Sequence, residues 1–216
     1  YKLRRQKFDS IFVFGPSPVT VGLPAIVFRY FKKAPLVFWV LDLWPDSLEA
    51  VGVVRSERIL KLVGWLVSYI YKRCDLVLGQ SKSFISHIRK YAGHDRIAYF
   101  PGWAESFFSV DQFRSPKRRS DSVQFNIVFA GNVGVSQDFP TVLKAMELLK
   151  EDEKICWTIV GDGRMSDWLA TEIGKRGLEN VVRLEGQHPM EKMPEFFQDA
   201  DALLVNLRDE PIFSMT

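Results

Sequence analysis

The sequence predicts an α/β protein built as two doubly wound domains, and three observations carry that prediction. Short β-branched or aromatic runs alternate with segments whose apolar residues recur at helical spacing, the pattern of parallel strands joined by crossover helices. The alternation occurs twice, on either side of a polar, basic, aliphatic-free stretch at residues 114–122 (RSPKRRSDS). In each half a helix gives way to an Asp and then a strand, as RCDLVL and as ADALLV. The expected organisation is a first domain over 1–114, a linker over 115–122 and a second domain over 123–216.

Composition narrows the class. With 47% hydrophobic and 25% charged residues in 216, the chain can bury a sizeable core and is not of the disordered kind. Lysine and arginine exceed aspartate and glutamate by 29 − 26 = 3, too small a balance to imply nucleic acid. Seventeen Phe and six Trp suggest broad apolar surfaces in addition to core. Cys74 and Cys156 sit in apolar or helix-end contexts, which argues against a disulfide framework and fits a reducing compartment. No signal-peptide pattern stands at Tyr1, the first residues read like the interior of an α/β domain, and the last ones stop just after a strand. The expectation is a fragment.

In the first half, residues 11–14 form a buried strand ended by Gly15-Pro16-Ser17-Pro18, and 21–31 an apolar helix. A second strand over 35–40 runs into Leu41-Asp42-Leu43-Trp44-Pro45-Asp46, placing a carboxylate and a large aromatic at a strand's carboxyl end, where α/β proteins build ligand sites. Residues 57–72 (ERILKLVGWLVSYIYK) read as a helix apolar on nearly every side. Its apolar run is well short of the roughly 20 residues that span a bilayer. A buried helix is the favoured reading; the alternative is a helix lying in a membrane interface, with Lys61, Lys72 and Arg73 near the headgroups. A strand over 75–78 follows, then a helix over 84–91 capped by Ser81 or Ser83, and a short strand over 97–100.

The second half opens on a strand over 126–130 that stops at Gly131-Asn132-Val133-Gly134, after which Phe139, Val142, Leu143, Met146 and Leu149 mark a helix. Glycines let backbone approach a ligand, and a helix N-terminus offers unpaired N–H groups and partial positive charge, so a phosphate is a natural occupant. Any βα turn has the same parts, and this stretch alone leaves both readings open. Two further units repeat the pattern. A strand over 156–160 leads to Gly161-Asp162-Gly163 and a helix over 165–175; a strand over 181–184 leads to Glu185-Gly186-Gln187 and a helix over 191–197. The last strand is expected over 202–207.

Taken singly, the motifs are weak. VGDGRMS approximates G-x-G-x-x-G with Ser166 at the third glycine, but no acidic strand end about 20 residues on supplies the ribose contact, so a nicotinamide-dependent enzyme ranks low. Asp199-Ala200-Asp201 matches a metal-nucleotide D-x-D yet falls at a helix-to-strand junction, where Asp is an ordinary loop residue. His87, His94 and His188 have no metal-ligand spacing, and there is no Walker A or G-x-S-x-G sequence.

Taken together they are specific. FVFGPSPVTVGLPAIVFRYF, PLVFWVLDLWPDSL, CDLVLGQSKSFI, FPGWAE, IVFAGNVGVSQDF, IVGDGR and VRLEGQHPMEKMPEFFQDADALLVNL resemble, in order and over nearly the whole chain, the GT-B glycosyltransferases of family 4. The similarity is greatest to the bacterial group acting in O-antigen and capsule assembly, including L-fucosamine transferases. The resemblance implies two Rossmann-like domains, both incomplete here, and a retaining transferase that moves an N-acetylated amino or deoxy sugar from a UDP-sugar to a lipid-linked saccharide. It implies neither metal nor any cofactor beyond the UDP-sugar substrate, and the basic N-terminus together with the apolar 57–72 helix motivates a cytoplasmic location, peripheral on the inner face of the plasma membrane. Gly131, Asn132 and Gly134 would approach the donor's phosphates and sugar, Gly161 and Gly163 would border the pocket, and main-chain groups of Glu185, Gly186 and Gln187 would face the base. Asp42, the candidate catalytic residue, would stand where many relatives carry a His near the transferred sugar, with strand-end capping as its structural alternative, and Trp44 and Asp46 would flank the acceptor. Loop backbone and the helix dipole would stabilise the departing diphosphate.

The chain departs from the family pattern at Asn132 and Gln137, where relatives carry Arg and Lys on phosphate, and at Gly102, where Pro-Asn is usual. The family's acidic E-x7-E region would lie at or beyond residues 211–216. These departures motivate an alternative, a binding module that holds a nucleotide or phosphosugar without transferring it.

Overall fold

The computed structural model describes residues 5–108, 125–152 and 154–215. They form two compact units, Tyr1–Trp103 together with Asp209–Thr216, and Ala104–Arg208. This division differs from the expected boundary at both ends of the second domain. Phe108 stacks on Phe197 with ring centroids 5.8 Å apart, which draws residues 104–108 into the second unit. Ile212 and Met215 pack against the first unit's core, and the Ser81 hydroxyl donates to the Met215 carbonyl, which draws residues 209–215 into the first. The expected linker over 115–122 lies outside the described residues.

In the first unit β1 (Ile11–Gly15), β2 (Leu36–Val40), β3 (Leu76–Gly79) and β4 (Ile97–Tyr99) pair in parallel in that order. Each connection advances one strand in the same direction, so right-handed crossovers put their helices on one face. These are α1 (Gly22–Lys32), α3 (Glu57–Tyr71) and α4 (Lys82–Ala92); a short α2 (Asp46–Ala50), which the apolar periodicity does not show, precedes α3. Val13, Phe38 and Val77 meet Val67, Ile70, Tyr71, Phe84 and Ile88 in the core. Alternation sends Phe12, Phe14 and Trp39 to the opposite face, where Trp39 stacks on Trp103 at 5.5 Å and donates its indole N–H to the Phe100 carbonyl at 3.0 Å. Of the two candidate caps for α4, Ser81 is the one used, accepting from the Phe84 N–H at 3.3 Å, so the helix starts two residues before its apolar stripe.

In the second unit β5 (Phe125–Ala130), β6 (Ile155–Val160), β7 (Val182–Gly186) and β8 (Ala202–Leu203) are parallel in the order β7-β6-β5-β8. The path runs outward from β5 to β7 and then returns to β5's other side. By the same handedness α5 (Phe139–Leu149) and α6 (Ser166–Arg176) cover one face and α7 (Met193–Gln198) the other. Phe139, Leu143, Met146, Leu169 and Ile173 bury the first face against Phe129, Trp157 and Ile159. The expected last strand shrinks to two residues because the chain soon leaves the ladder. The Asn206 side-chain amide donates to the Gln137 carbonyl, and the Arg208 N–H to the Ser136 carbonyl at 2.8 Å. The two parallel four-stranded sheets bear out the expected α/β class, and among the described residues the second is the one wound on both faces.

Candidate functional site

A cavity of about 660 Å³ opens at the carboxyl ends of β5, β6 and β7, beside the point where the strand order reverses. One wall is Ala130, Gly131 and Asn132 with Val160, Gly161, Asp162 and Gly163; the other is Gln187, His188, Met190, Met193 and Phe197, with Glu105 and Phe108 at the side. Its size suits a nucleotide-sized ligand.

The geometry of the two glycine loops follows from how closely they approach. Gly161 has φ +133°, and a Cβ there would fall 1.8 Å from the Gly131 carbonyl oxygen; at Gly163 it would fall 2.4 Å from the Val133 oxygen. Backbone bonds lace the loops together, from Gly131 N–H to Val160 O at 2.9 Å, Val133 N–H to Asp162 O at 2.9 Å, and Met165 N–H to Val133 O at 3.0 Å. The Gly161 N–H donates to Gly186 O at 2.7 Å, the Gly134 N–H to Asn132 O at 3.0 Å, and the Gly163 N–H to Asp162 Oδ1 at 2.7 Å and Ser166 Oγ at 2.9 Å. All four glycine N–H groups are therefore engaged inside the loops. Through these bonds the glycines set the shape of the wall, with Gly131, Gly161 and Gly163 lining the cavity. Hydrogen bonds from Ser166 and the Gly163 backbone hold the Asp162 carboxyl below its ordinary range.

Among the expected donor residues Gly131, Asn132, Gly161, Gly163 and Gln187 line the cavity, whereas Gly134, Glu185 and Gly186 stand outside its lining. Gly186 acts through its carbonyl and φ of +70°, beside the irregularity where β6 and β7 shift register. The sequence reading missed His188 and the Met190–Met193–Phe197 wall, having set His188 aside for want of a metal spacing. Its place directly after the third strand-end turn, equivalent to the glycine loops on β5 and β6, is the signal that would have found it.

Asp42, Trp44 and Asp46 all belong to the first unit. Asp42 Oδ2 accepts the Trp44 indole N–H at 2.9 Å, and Trp44 packs on the first core. Asp46 approaches the buried His87 ring at 2.8 Å, misaligned for a hydrogen bond; burial pushes the His87 pKa down against the pull of the Asp46 charge. Asp201 accepts from the Asn126 N–H at 2.7 Å, and the Asn126 amide donates to the Asp199 carbonyl at 3.0 Å, so the D-x-D joins a loop to β5. Among the described residues no three His, Cys, Asp or Glu side chains gather as a metal site.

Residues 111–212, which span most of the second unit, match the family described as Glycosyl transferases group 1. Over 95% of its length the chain is 24% identical to the probable glycosyltransferase WbjE of Pseudomonas aeruginosa and 27% identical to the putative colanic acid biosynthesis glycosyl transferase WcaI of Escherichia coli strain K12. It covers 52% and 50% of them, and so spans about half the length of the curated relatives it matches. Among solved structures, Anabaena Alr3699/HepE in complex with UDP-glucose superposes with a TM-score of 0.68 at 15% identity, over 94% of this chain and 53% of that one. The chain has the GT-B fold. Sucrose-phosphate synthase from Thermosynechococcus elongatus superposes equally well, at 0.68 and 15% identity over 88% of this chain and 49% of its own. At this identity the GT-B neighbours establish the fold; the family match bears on the half of the chain that holds the cavity.

Proposed function

We propose that the cavity of the second unit binds the nucleotide diphosphate of a UDP-sugar, and that the whole protein is a retaining glycosyltransferase of family 4. Its reaction would move an N-acetylated amino or deoxy sugar onto a lipid-linked saccharide during bacterial surface-polysaccharide synthesis, without a metal. One observation carries this reading: a nucleotide-sized cavity sits at the strand-order reversal, lined, apart from Glu105 and Phe108, by the segment that matches Glycosyl transferases group 1. The GT-B structures of HepE with UDP and with UDP-glucose support the choice of ligand class.

The lining suggests a division of labour. Met190, Met193 and Phe197 offer a flat apolar wall to a base, and Gln187 and His188 offer polar contacts at its edge. Glu105 and Asp162 suit hydroxyl groups better than phosphate, so the diphosphate charge would fall to His188 and to arginines near the loops. Arg164 follows Gly163 directly, and Arg208 is anchored by its backbone to the turn at Ser136. Asp42 would orient the transferred sugar, with Trp44 and Asp46 on the acceptor side.

The test is thermal denaturation with UDP, GDP, NAD or buffer alone. At a hundredfold excess over Kd, UDP should stabilise by about 2.7 kcal/mol, a rise in midpoint of roughly 5–10 °C, whereas NAD should leave it unmoved. A shift with NAD and none with UDP would overturn the reading. In the full-length enzyme Asp42→Asn should lower turnover, and unchanged turnover would remove Asp42 from the chemistry. Binding of UDP-sugar with no product in the full-length chain would select the non-catalytic alternative, which the absence of a cation at Asn132 and Gln137 favours.

A further inference from the structure

The apolar wall of the second unit's cavity is built largely from thioethers. A single 3-10 turn over Met190–Lys192 follows Pro189, and the Lys192 N–H closes it on the Pro189 carbonyl at 3.0 Å. In such a turn residues three apart eclipse one another, so Met190 and Met193 project to one side, and both line the cavity. Phe197 stands one helical turn beyond Met193 on the same face of α7. Its ring is held by Phe108, with centroids 5.8 Å apart, so the frame behind the two thioethers is fixed.

This wall holds the most accessible of the chain's five methionines. Met190 is 52% exposed, whereas Met146 is fully buried and Met165, Met193 and Met215 are half-buried. Met165 packs against the second unit's core and Met215 against the first's, while Met190 belongs to neither. Access decides which thioether meets an oxidant, and the Met190 sulfur is reached with no opening of the fold. A leucine would give the wall the same apolar character. The thioether adds a polarisable surface for a base and a reactive sulfur lone pair.

Resting on the reading of this cavity as the donor site, we propose that Met190 is an oxidation site through which hydroperoxides switch off nucleotide-sugar binding. In the step a sulfur lone pair attacks the terminal peroxide oxygen, and an S–O bond forms as the O–O bond breaks. The departing oxygen takes the proton of the transferred one and leaves as water, or as an alcohol from an organic hydroperoxide. Sulfur gives up two electrons and the peroxide is reduced by them. The sulfoxide oxygen is a strong acceptor that keeps its water, on the wall where a base would pack dry. Its negative end also joins Glu105 and Asp162 in a cavity that must hold a diphosphate. Because Met190 stands outside both cores, the loss falls on binding and not on folding. Sulfoxide reductases reverse the change, which makes it a switch.

The experiment treats the intact protein with graded hydrogen peroxide, locates each oxidised methionine by peptide mass spectrometry, and measures UDP affinity before and after. Met190 should oxidise first, UDP affinity should fall by about tenfold, and methionine sulfoxide reductases should restore it. The denaturation midpoint without UDP should stay where it was. Whatever its own starting affinity, Met190→Leu should keep that affinity through peroxide, whereas Met193→Leu should lose it as the wild type does. Oxidation of another methionine ahead of Met190, unchanged affinity in protein oxidised at Met190, or an equal fall in Met190→Leu overturns the proposal. So does a ligand-free midpoint that falls as far as the midpoint with UDP. Failure to bind UDP before any peroxide is added would instead overturn the donor reading, and this proposal with it.

Discussion

At Gly161 two demands meet in one residue. Its φ of +133° lies where L side chains rarely go, and a Cβ would overlap the Gly131 carbonyl oxygen at 1.8 Å. Relief requires the two loops to part, which would break the Val133–Asp162 and Met165–Val133 bonds that hold the cavity wall. Gly161→Ala should therefore cost about 2–4 kcal/mol in chemical denaturation, combining backbone strain with lost loop bonds, and should abolish stabilisation by UDP. Gly177, at the end of α6, has φ +63° but open space around a Cβ. Gly177→Ala should cost only about 1–2 kcal/mol, the left-handed backbone term alone, and leave UDP binding intact. Equal costs at both positions would show that loop-to-loop contact contributes nothing. The glycines were legible in the sequence as a pair of strand-end turns. Their job was not, because the partner of each loop is the other loop, about 30 residues away.

At the scale of elements, Asp75 joins α1 to the sheet. Its carboxylate accepts the Arg29 fork at 2.9 and 2.7 Å and the Leu36 N–H at 2.7 Å, locking the end of α1 to the start of β2. Arg29 is the main reason its carboxyl is held below the ordinary range. Asp75→Asn should cost about 1 kcal/mol at neutral pH, discounted because both partners are more than a third exposed. Since the folded-state pKa lies below the unfolded value near ~3.9, the contribution is present above that value and is lost as pH falls through the folded one. Wild type and Asp75→Asn should therefore differ in urea midpoint at pH 7 and converge on acidification; a difference that persists at low pH would assign the effect to packing. The RCDLVL pattern located this Asp between helix and strand, but not its Arg partner, which lies 46 residues earlier.

For the molecule as a whole, the two units carry separate cores. Ile88 and Leu143 are each fully buried, one in each core, with no shared neighbours. Ile88→Ala and Leu143→Ala should each cost about 2–5 kcal/mol, and the double variant should equal their sum within about 0.5 kcal/mol in urea denaturation. A larger departure would mean that the two positions are energetically coupled. The sequence by itself determined the alternation of strands and helices, the doubling of that pattern, and which turns face the cavity, because apolar period and glycine placement are local properties of the chain. Only the tertiary structure decided where the units divide and that the loop glycine N–H groups bond within the loops. It also brought His188 and the methionine wall to the glycine loops and left Ile59, Leu62 and Trp65 of α3 exposed. Each of these depends on which distant segment a residue meets, and a one-dimensional pattern records that a side chain is apolar without recording whether anything covers it.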